Sequence, residues 1–349
     1  MVEIKQSDRD FYKKYIADNI PDCIYDTHAH LWTDAHIAGA VKQDGMADWV
    51  HKFCAQHWMS YEGLKNAYAG LFFGKKVSTL AFGWVENNVD ISSNNQYVGA
   101  QAKKYGFSGL AVSRPEFNEE ELFKEVSANN LIGLKPYPTF APAAVPGEKV
   151  RITDMITKRQ LSLANQLGWV VMLHIPRAKR IADRANIEDI LMIEKEFPNI
   201  KLIIAHIGRA YCLENIGEAF NILKKTKNVM FDFAAHTNAE VFEKAIDAFG
   251  AKRLLFGTDF PISLMRLKRE HKCGNYINYI PAGSCGDVIN DAHMKEVLGE
   301  EAGAFTFFVY ESMAAMIRAA KNRGLTQKSL NDIFYQNAVD FIGLKKICK

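Results

Sequence analysis

Val170-Val171-Met172-Leu173-His174 is an unbroken apolar run that ends in a histidine. A run without polar alternation is the pattern of a strand buried on both faces of a parallel sheet. The design recurs downstream. Leu202-Ile203-Ile204-Ala205 leads into His206, and Leu254-Leu255-Phe256-Gly257-Thr258 leads into Asp259. Upstream, Ile24-Tyr25-Asp26-Thr27-His28-Ala29-His30 carries two imidazoles two residues apart. Further apolar runs lie at Ser78–Val85, Phe107–Ser113, Leu131–Tyr137 and Val229–Phe233. Helical periodicity fills most of the gaps, at Asn94–Tyr105, Asn118–Ala128, Thr153–Leu167, Ile187–Phe197, Leu213–Lys225 and Ala239–Phe249. Eight apolar runs with helical stretches between most of them predict parallel βαβ units closed into an α/β (β/α)8 TIM barrel.

The 349 residues fit one such domain with insertions. Residues 33–77 form the first insertion, after strand 1, with helices expected at Met46–Trp58 and Tyr61–Leu71. Residues 260–302 form the second, after strand 8, and two closing helices are expected within 304–342. A short helix opens the chain from Ser7, with Phe11, Tyr12, Tyr15 and Ile16 on one face. Loops that follow strand C-termini surround a barrel's active site, so both insertions are expected to cover it and select substrate.

Composition excludes several classes. Hydrophobic residues are 48% and charged residues 24%, an ordinary globular balance. Lys and Arg number 43 against 40 Asp and Glu, which argues against nucleic acid as a partner. There is no leader-like apolar segment at the N-terminus and no run long enough to span a membrane, so a cytoplasmic protein is expected. The six cysteines form no C-x-x-C pair. Cys23 and Cys212 lie in or near apolar runs, as buried free thiols would, and no disulfide framework is expected.

Strand side chains alternate between faces, so Asp26, His28 and His30 are expected to point the same way. With His174, His206 and Asp259 at other strand tips, five ligand-type side chains converge above one rim. Such a cluster buried without a cation would be poorly satisfied. A divalent ion resolves it. The thiolate-free, His-rich set suits one zinc, with manganese, iron or cobalt as alternatives. Bound metal lowers the pKa of its water from about 15.7 toward 7, giving a hydroxide nucleophile at neutral pH. Asp259 is the expected proton shuttle, and His206 an oxyanion stabiliser or general acid. Asp26 is expected either to orient a ligating imidazole or to be a hydrogen-bonded residue of the barrel floor.

These motifs resemble the amidohydrolase superfamily, in the branch of aminocarboxymuconate-semialdehyde decarboxylase and pyrone-dicarboxylate lactonase. The resemblance rests on Asp-Thr-His-Ala-His at 26–30, His174, Ala205-His206-Ile207-Gly208, Phe256-Gly257-Thr258-Asp259-Phe260-Pro261 and the closing Asn337-Ala338 with Phe341-Ile342-Gly343-Leu344. It implies that His28, His30, His174 and Asp259 bind a single metal, with His206 catalytic or a further ligand. It also raises a carbamylated Lys135, as in binuclear relatives. The following Pro136 and the mononuclear branch favour a substrate-facing or structural lysine instead.

Arg114, Arg177 and Arg209 follow strand tips and are candidate clamps for a substrate carboxylate, with Tyr137 a further pocket candidate and His236 a weaker one. His51 and His57 read as solvated or packing residues of the insertion helix, and Trp32, Trp49 and Trp58 as core aromatics or lining of the pocket mouth. The expected activity is hydrolysis of a C–N or C–O bond in a small, anionic substrate. Decarboxylation or hydration on the same site is the alternative, and a non-catalytic scaffold the third. A homodimer is a possible assembly.

Overall fold

The computed structural model describes residues 2–39, 48–272, 274–286 and 288–344. Eight parallel strands stand in the order of the chain: β1 Cys23–His30, β2 Lys76–Phe82, β3 Ser108–Ser113, β4 Gly133–Pro136, β5 Val170–Leu173, β6 Lys201–Ile204, β7 Val229–Asp232 and β8 Leu254–Leu255. The sheet closes on itself through the extension of β8. Thr27 N–H donates to the Phe256 carbonyl at 2.9 Å, Asp259 N–H to the His28 carbonyl at 2.7 Å, and His30 N–H to the Phe260 carbonyl at 3.0 Å. This is the expected (β/α)8 barrel.

The strands form where the apolar runs lie because these side chains are buried on both sheet faces. Val170–Leu173 and Val229–Asp232 are buried throughout. Ends differ from the runs because the last residues of each run turn into rim loops. The Ala239–Phe249 helix and the insertion helix Tyr61–Leu71 match their sequence ranges. Insertion helix Asp48–Gln56 falls within the expected Met46–Trp58, of which residues 46–47 lie outside the described residues. The pattern over Thr153–Leu167 divides into Ile152–Met155 and Lys158–Leu167, because Thr157 caps the second helix through Gln160 N–H. The Leu213–Lys225 pattern yields only a 3₁₀ turn, Leu213–Asn215, and a short helix, Ala219–Leu223. The closing helices are Phe308–Asn322 and a segment from Gln327 to Ile342 that passes through a π turn at Asp332–Gln336.

One element goes unread in the sequence. The segment after β8 folds into a three-stranded sheet, β9 Lys268–Lys272, β10 Asn275–Pro281 and β11 Met294–Val297, in the order β11-β10-β9. Cys54, Cys212 and Cys285 are free and buried. Cys23, expected as a free thiol, is disulfide-bonded. No helix among the described residues is long and apolar enough to cross a membrane.

The N-terminal helix Gln6–Tyr15 is locked to the segment after β8 by one carboxylate. Asp8 is fully buried and accepts from Arg266 Nη1 at 2.6 Å and Nη2 at 2.7 Å, from Thr306 Oγ1 at 2.9 Å and from Lys5 N–H at 2.8 Å. Burial would raise the Asp8 carboxyl, but these donors outweigh it and hold it below its ordinary value. Its contribution to stability is therefore present above the unfolded pKa of about 3.9 and is lost as pH falls through the lower folded value. Asp8→Asn leaves Arg266 without its counter-charge and is expected to cost about 3 kcal/mol at pH 7, read from urea unfolding, with a smaller difference at pH 3. Equal midpoints of variant and wild type at pH 7 would show that the tether carries no stability.

Candidate metal centre and its cavity

At the C-terminal rim, β1 presents both imidazoles to Asp259. His28 Nε2 and His30 Nε2 each lie 3.4 Å from Asp259 Oδ1. The register between β1 and β2 shifts by one residue between Asp26 and Ala29, a β-bulge. The bulge breaks the alternation that would have put Asp26 beside the imidazoles. Asp26 instead accepts from Tyr68 Oη at 2.6 Å, Thr258 Oγ1 at 2.6 Å, Thr258 N–H at 2.8 Å and His28 N–H at 2.9 Å. It does not orient an imidazole side chain; it ties β1 to the β8 extension. Burial pushes its carboxyl up to about 7 against these donors. Gly257 is required here, since a Cβ would lie 2.8 Å from His28 Cβ.

The orienting carboxylate is Asp232, at the end of β7. It faces His28 Nδ1 at 3.1 Å and accepts the backbone N–H groups of His206 at 2.9 Å and Ala234 at 3.0 Å. Burial alone would raise Asp232, but His28 and the His206 N–H carry it down to about 2. The sequence carried a signal for it: one acid inside the apolar run Val229–Phe233.

Two further rim imidazoles, His30 and His206, are held from behind in the same way. His30 Nδ1 lies 3.1 Å from the Gly83 carbonyl, and His206 Nδ1 lies 2.9 Å from the Ala234 carbonyl. Carbonyls and an ionised carboxylate only accept, so Nδ1 carries a proton in all three rings, and in His28 and His30, which burial disfavours as cations, Nε2 is left with a lone pair. Burial, then Lys135, push His28 down to about 4, so its ring is neutral at pH 7. Burial would raise Asp259, but His28, His30 and His206 outweigh it and keep its carboxyl ionised. Two lone pairs and a carboxylate therefore face one another in a buried site. That donor set fits a divalent cation and is repulsive without one. Two groups, His28 with His30 and Asp259, and His28 with His206 and Asp232, have ligand atoms within 4.8 Å of one another. His174 belongs to neither. Its ring stands 5.3 Å from that of His206 and 4.7 Å from that of Tyr137, with Nδ1 buried and unpartnered.

The loops that follow β5 to β8 hold strained backbone. Arg177, Arg180, Ala235 and Asp259 have φ of 70°, 58°, 49° and 61°. After β6, His206, Ile207, Gly208 and Arg209 form a left-handed turn with φ from 48° to 63°. Such residues cost about 1–3 kcal/mol each and persist only where surrounding contacts fix them. Gly208 is one such contact: a Cβ there would lie 2.3 Å from Ile181 Cδ1.

Above the rim lies a cavity of about 470 Å³, reached by His28, His30, His174, His206, Tyr137 and Asp259. Arg177 and Arg209, two of the three candidate clamps, also line it. Arg177 pairs with Asp183 at 2.9 Å, and Arg209 Nη1 donates to the Ile175 carbonyl at 3.2 Å. Arg114, a candidate clamp, and Lys135, expected to be substrate-facing or structural, are not among the lining residues. Arg114 stacks on Phe140 at 4.8 Å. Lys135 is fully buried because it lies within β4 rather than beyond its tip; its Nζ is unpartnered and rests 4.7 Å over the Phe82 ring. Burial lowers it to about 8, opposed by Asp232 and Asp259. His236 is a buried structural residue, with Nε2 on the Ala210 carbonyl at 2.7 Å. His51 pairs with Glu86 at 2.7 Å, and His57 is exposed and stacks on Phe53. Trp32 is core, stacked on Trp84 at 4.6 Å, Trp49 lines the cavity, and Trp58 is exposed.

Paired imidazoles on β1, a carboxylate after β8 and further histidines after β5 and β6 define a (β/α)8-barrel enzyme with a candidate metal centre at its rim. The chain belongs to the amidohydrolase family: the Amidohydro_2 (amidohydrolase) family model matches residues 25–272. Among solved structures, an amidohydrolase from Burkholderia multivorans with bound zinc matches with a TM-score of 0.57 at 12% identity, covering 93% of this chain and 100% of that one. A probable 2-pyrone-4,6-dicarboxylic acid hydrolase from Acinetobacter baumannii matches at 0.55 and 15%, covering 92% and 99%. The 5-carboxyvanillate decarboxylase of Sphingomonas paucimobilis matches at 0.54 and 10%, covering 93% and 100%. At these identities the likeness shows a shared fold. No curated protein matches the chain.

Asp232→Asn keeps the shape but removes the charge that sets the His28 tautomer. It is expected to weaken zinc binding about 10- to 100-fold with an unchanged far-UV spectrum. Chelator competition measures this, and an unaltered zinc affinity would remove Asp232 from the site.

Proposed function

We propose that the chain is a metal-dependent hydrolase of the amidohydrolase type, acting on a C–N or C–O bond of a small carboxylated substrate. The observation that carries this is the pair of Nε2 lone pairs directed at the Asp259 carboxylate, each 3.4 Å from Oδ1. His28, His30 and Asp259 would hold one divalent ion, with His174 as the fourth ligand from β5. Zinc suits this neutral-imidazole and carboxylate set. When bound, the ion supplies Lewis acidity that polarises water or a substrate carbonyl.

The remaining work falls to the protein. Asp259, ionised at neutral pH, accepts a proton from the attacking water and returns it to the departing nitrogen or oxygen. His206, its Nδ1 fixed on the Ala234 carbonyl, offers Nε2 to move a second proton or to steady charge developing on the carbonyl oxygen. Arg209 at the cavity wall provides a cation for the substrate carboxylate. Tyr137, beside His174, supplies an apolar face and a hydroxyl.

Decarboxylation is the second reading. It is favoured by the same His206, which would protonate a carbon once a carboxyl group leaves, and by the kinship in fold with a decarboxylase. The zinc-loaded protein, offered lactones, amides and aromatic acids that carry carboxylates, is expected to release hydrolysed product without carbon dioxide. Carbon dioxide release without hydrolysis would overturn the first reading in favour of the second. His206→Ala is expected to retain zinc while lowering kcat by about 10²- to 10⁴-fold. His174→Ala is expected to lower zinc affinity more than about tenfold. Full zinc affinity in His174→Ala would exclude it as a ligand.

A further inference from the structure

Taking the cavity as the substrate site, as proposed above, we infer that its outer wall holds an anion subsite built on Arg269, which takes a carboxylate remote from the reacting bond. Arg269 lies on β9, in the sheet that follows β8. Its Nε donates to Asn278 Oδ1 at 2.6 Å and its Nη1 to the Ala235 carbonyl at 3.1 Å. Its Cζ sits 4.5 Å from the ring centroids of both Tyr276 and Phe308, and 5.2 Å from that of Tyr211. Ala235, Asn278, Tyr276 and Phe308 all line the cavity above the metal centre, so the guanidinium belongs to that face.

No hydrogen-bond partner of this cation carries a charge: one is a side-chain amide and the other a backbone carbonyl. The groups that act on its charge, apart from burial, are Tyr276, Tyr211, Cys212 and a second guanidinium, Arg180. Arg180 shares the same rings, 4.8 Å over Tyr211 and 5.5 Å over Tyr276, and donates to the Asn215 side-chain carbonyl at 2.7 Å. Among the described residues no carboxylate pairs with either arginine. Asp291, the acid on this wall, is already engaged: Trp49 Nε1 reaches Oδ2 at 2.7 Å and His293 N–H reaches Oδ1 at 2.8 Å. The contrast is Arg177, whose charge Asp183 answers directly.

A guanidinium confined between aromatic rings and left without a counter-charge is costly unless an anion completes it. Arg269 Nη2 makes no hydrogen bond among the described residues, so one arm of the fork is open. Planar guanidinium and planar carboxylate match in geometry, and stacking on Tyr276 and Phe308 fixes the plane in advance. The metal centre sits at the tips of β1 and β8, and Arg269 on the added sheet. A substrate that meets both carries a reacting group at one end and a carboxylate at the other. The class is a small compound with two acidic groups, flanked by aromatic walls.

The test reads binding, not turnover. Calorimetry on the full-length protein, as purified and after zinc loading, compares benzene-1,3-dicarboxylate with benzoate. Wild type is expected to prefer the dicarboxylate by about tenfold or more, the strength of a charge-assisted bond. Arg269→Gln is expected to bring the two affinities together while leaving benzoate unchanged. Asn278→Asp tests the same point by a smaller change, since it sets a carboxylate against Arg269 Nε and neutralises the subsite in place; it too is expected to abolish the preference. No preference in wild type, or a preference that survives both substitutions, overturns the subsite. Failure of the metal-centre reading would show differently: benzoate affinity would not respond to zinc, whatever residue stands at 269.

Discussion

The rim depends on how its imidazoles are held from behind. Asp232, the Gly83 carbonyl and the Ala234 carbonyl each claim one Nδ1. That choice of tautomer leaves Nε2 of His28 and His30 bare, and closure of the barrel brings Asp259 against them. Lone pairs opposite a carboxylate repel in a buried site, and desolvation removes the water that would relieve them. A divalent cation turns the same atoms into a coordination set. The strain in the left-handed turn from His206 to Arg209 is the consequence, because His206 must offer its N–H to Asp232 and its Nδ1 to Ala234 at once.

Closure itself rests on a second carboxylate. Asp26 gathers two hydroxyls and two backbone N–H groups from β1, the β8 extension and the insertion helix that carries Tyr68. Asp26, Asp232 and Asp259 thus concentrate acidic groups in one buried region, and Lys135 is the buried basic group whose charge acts on Asp232 and Asp259. Its ammonium lies on the Phe82 ring with no hydrogen-bond partner. It balances charge through space rather than by contact.

The barrel was legible because burial on both faces leaves an unmistakable mark. Runs such as Val170–Leu173 tolerate almost nothing polar, so a His or Asp at their tips stands out. Rim residues His28, His30, His206 and Asp259 followed from that, and their meeting at one rim is what the structure reports. Asp232 was equally visible in principle, an acid within Val229–Phe233, but it was read as part of a strand. Of the two roles open to Asp26, the structure shows the hydrogen-bonded residue of the barrel floor; a bulge in β1 shifts the register there, and period-two reasoning cannot see a bulge. Arg114 and Lys135 stand outside the cavity lining, and the sequence does not decide this, because a basic residue near a strand end has two ways to turn.

What stayed unread is the wall. β9 reads Lys-Arg-Glu-His-Lys, a charged stretch that resembles an exposed loop, because its two ends are exposed, its middle residues are only half-buried and no apolar side chain marks a core face. Arg269 is hidden there. Trp49 from the first insertion reaches Asp291 in the second, so the two segments without motifs meet over the same opening. Rim chemistry is constrained by strand burial and carries its pattern in the sequence. The wall answers only to the shape and charge of what it encloses, and leaves no periodic trace. The division follows from the barrel: its rim can be shared among enzymes with different substrates, while inserted segments such as the β9–β11 sheet are free to diverge and set selection.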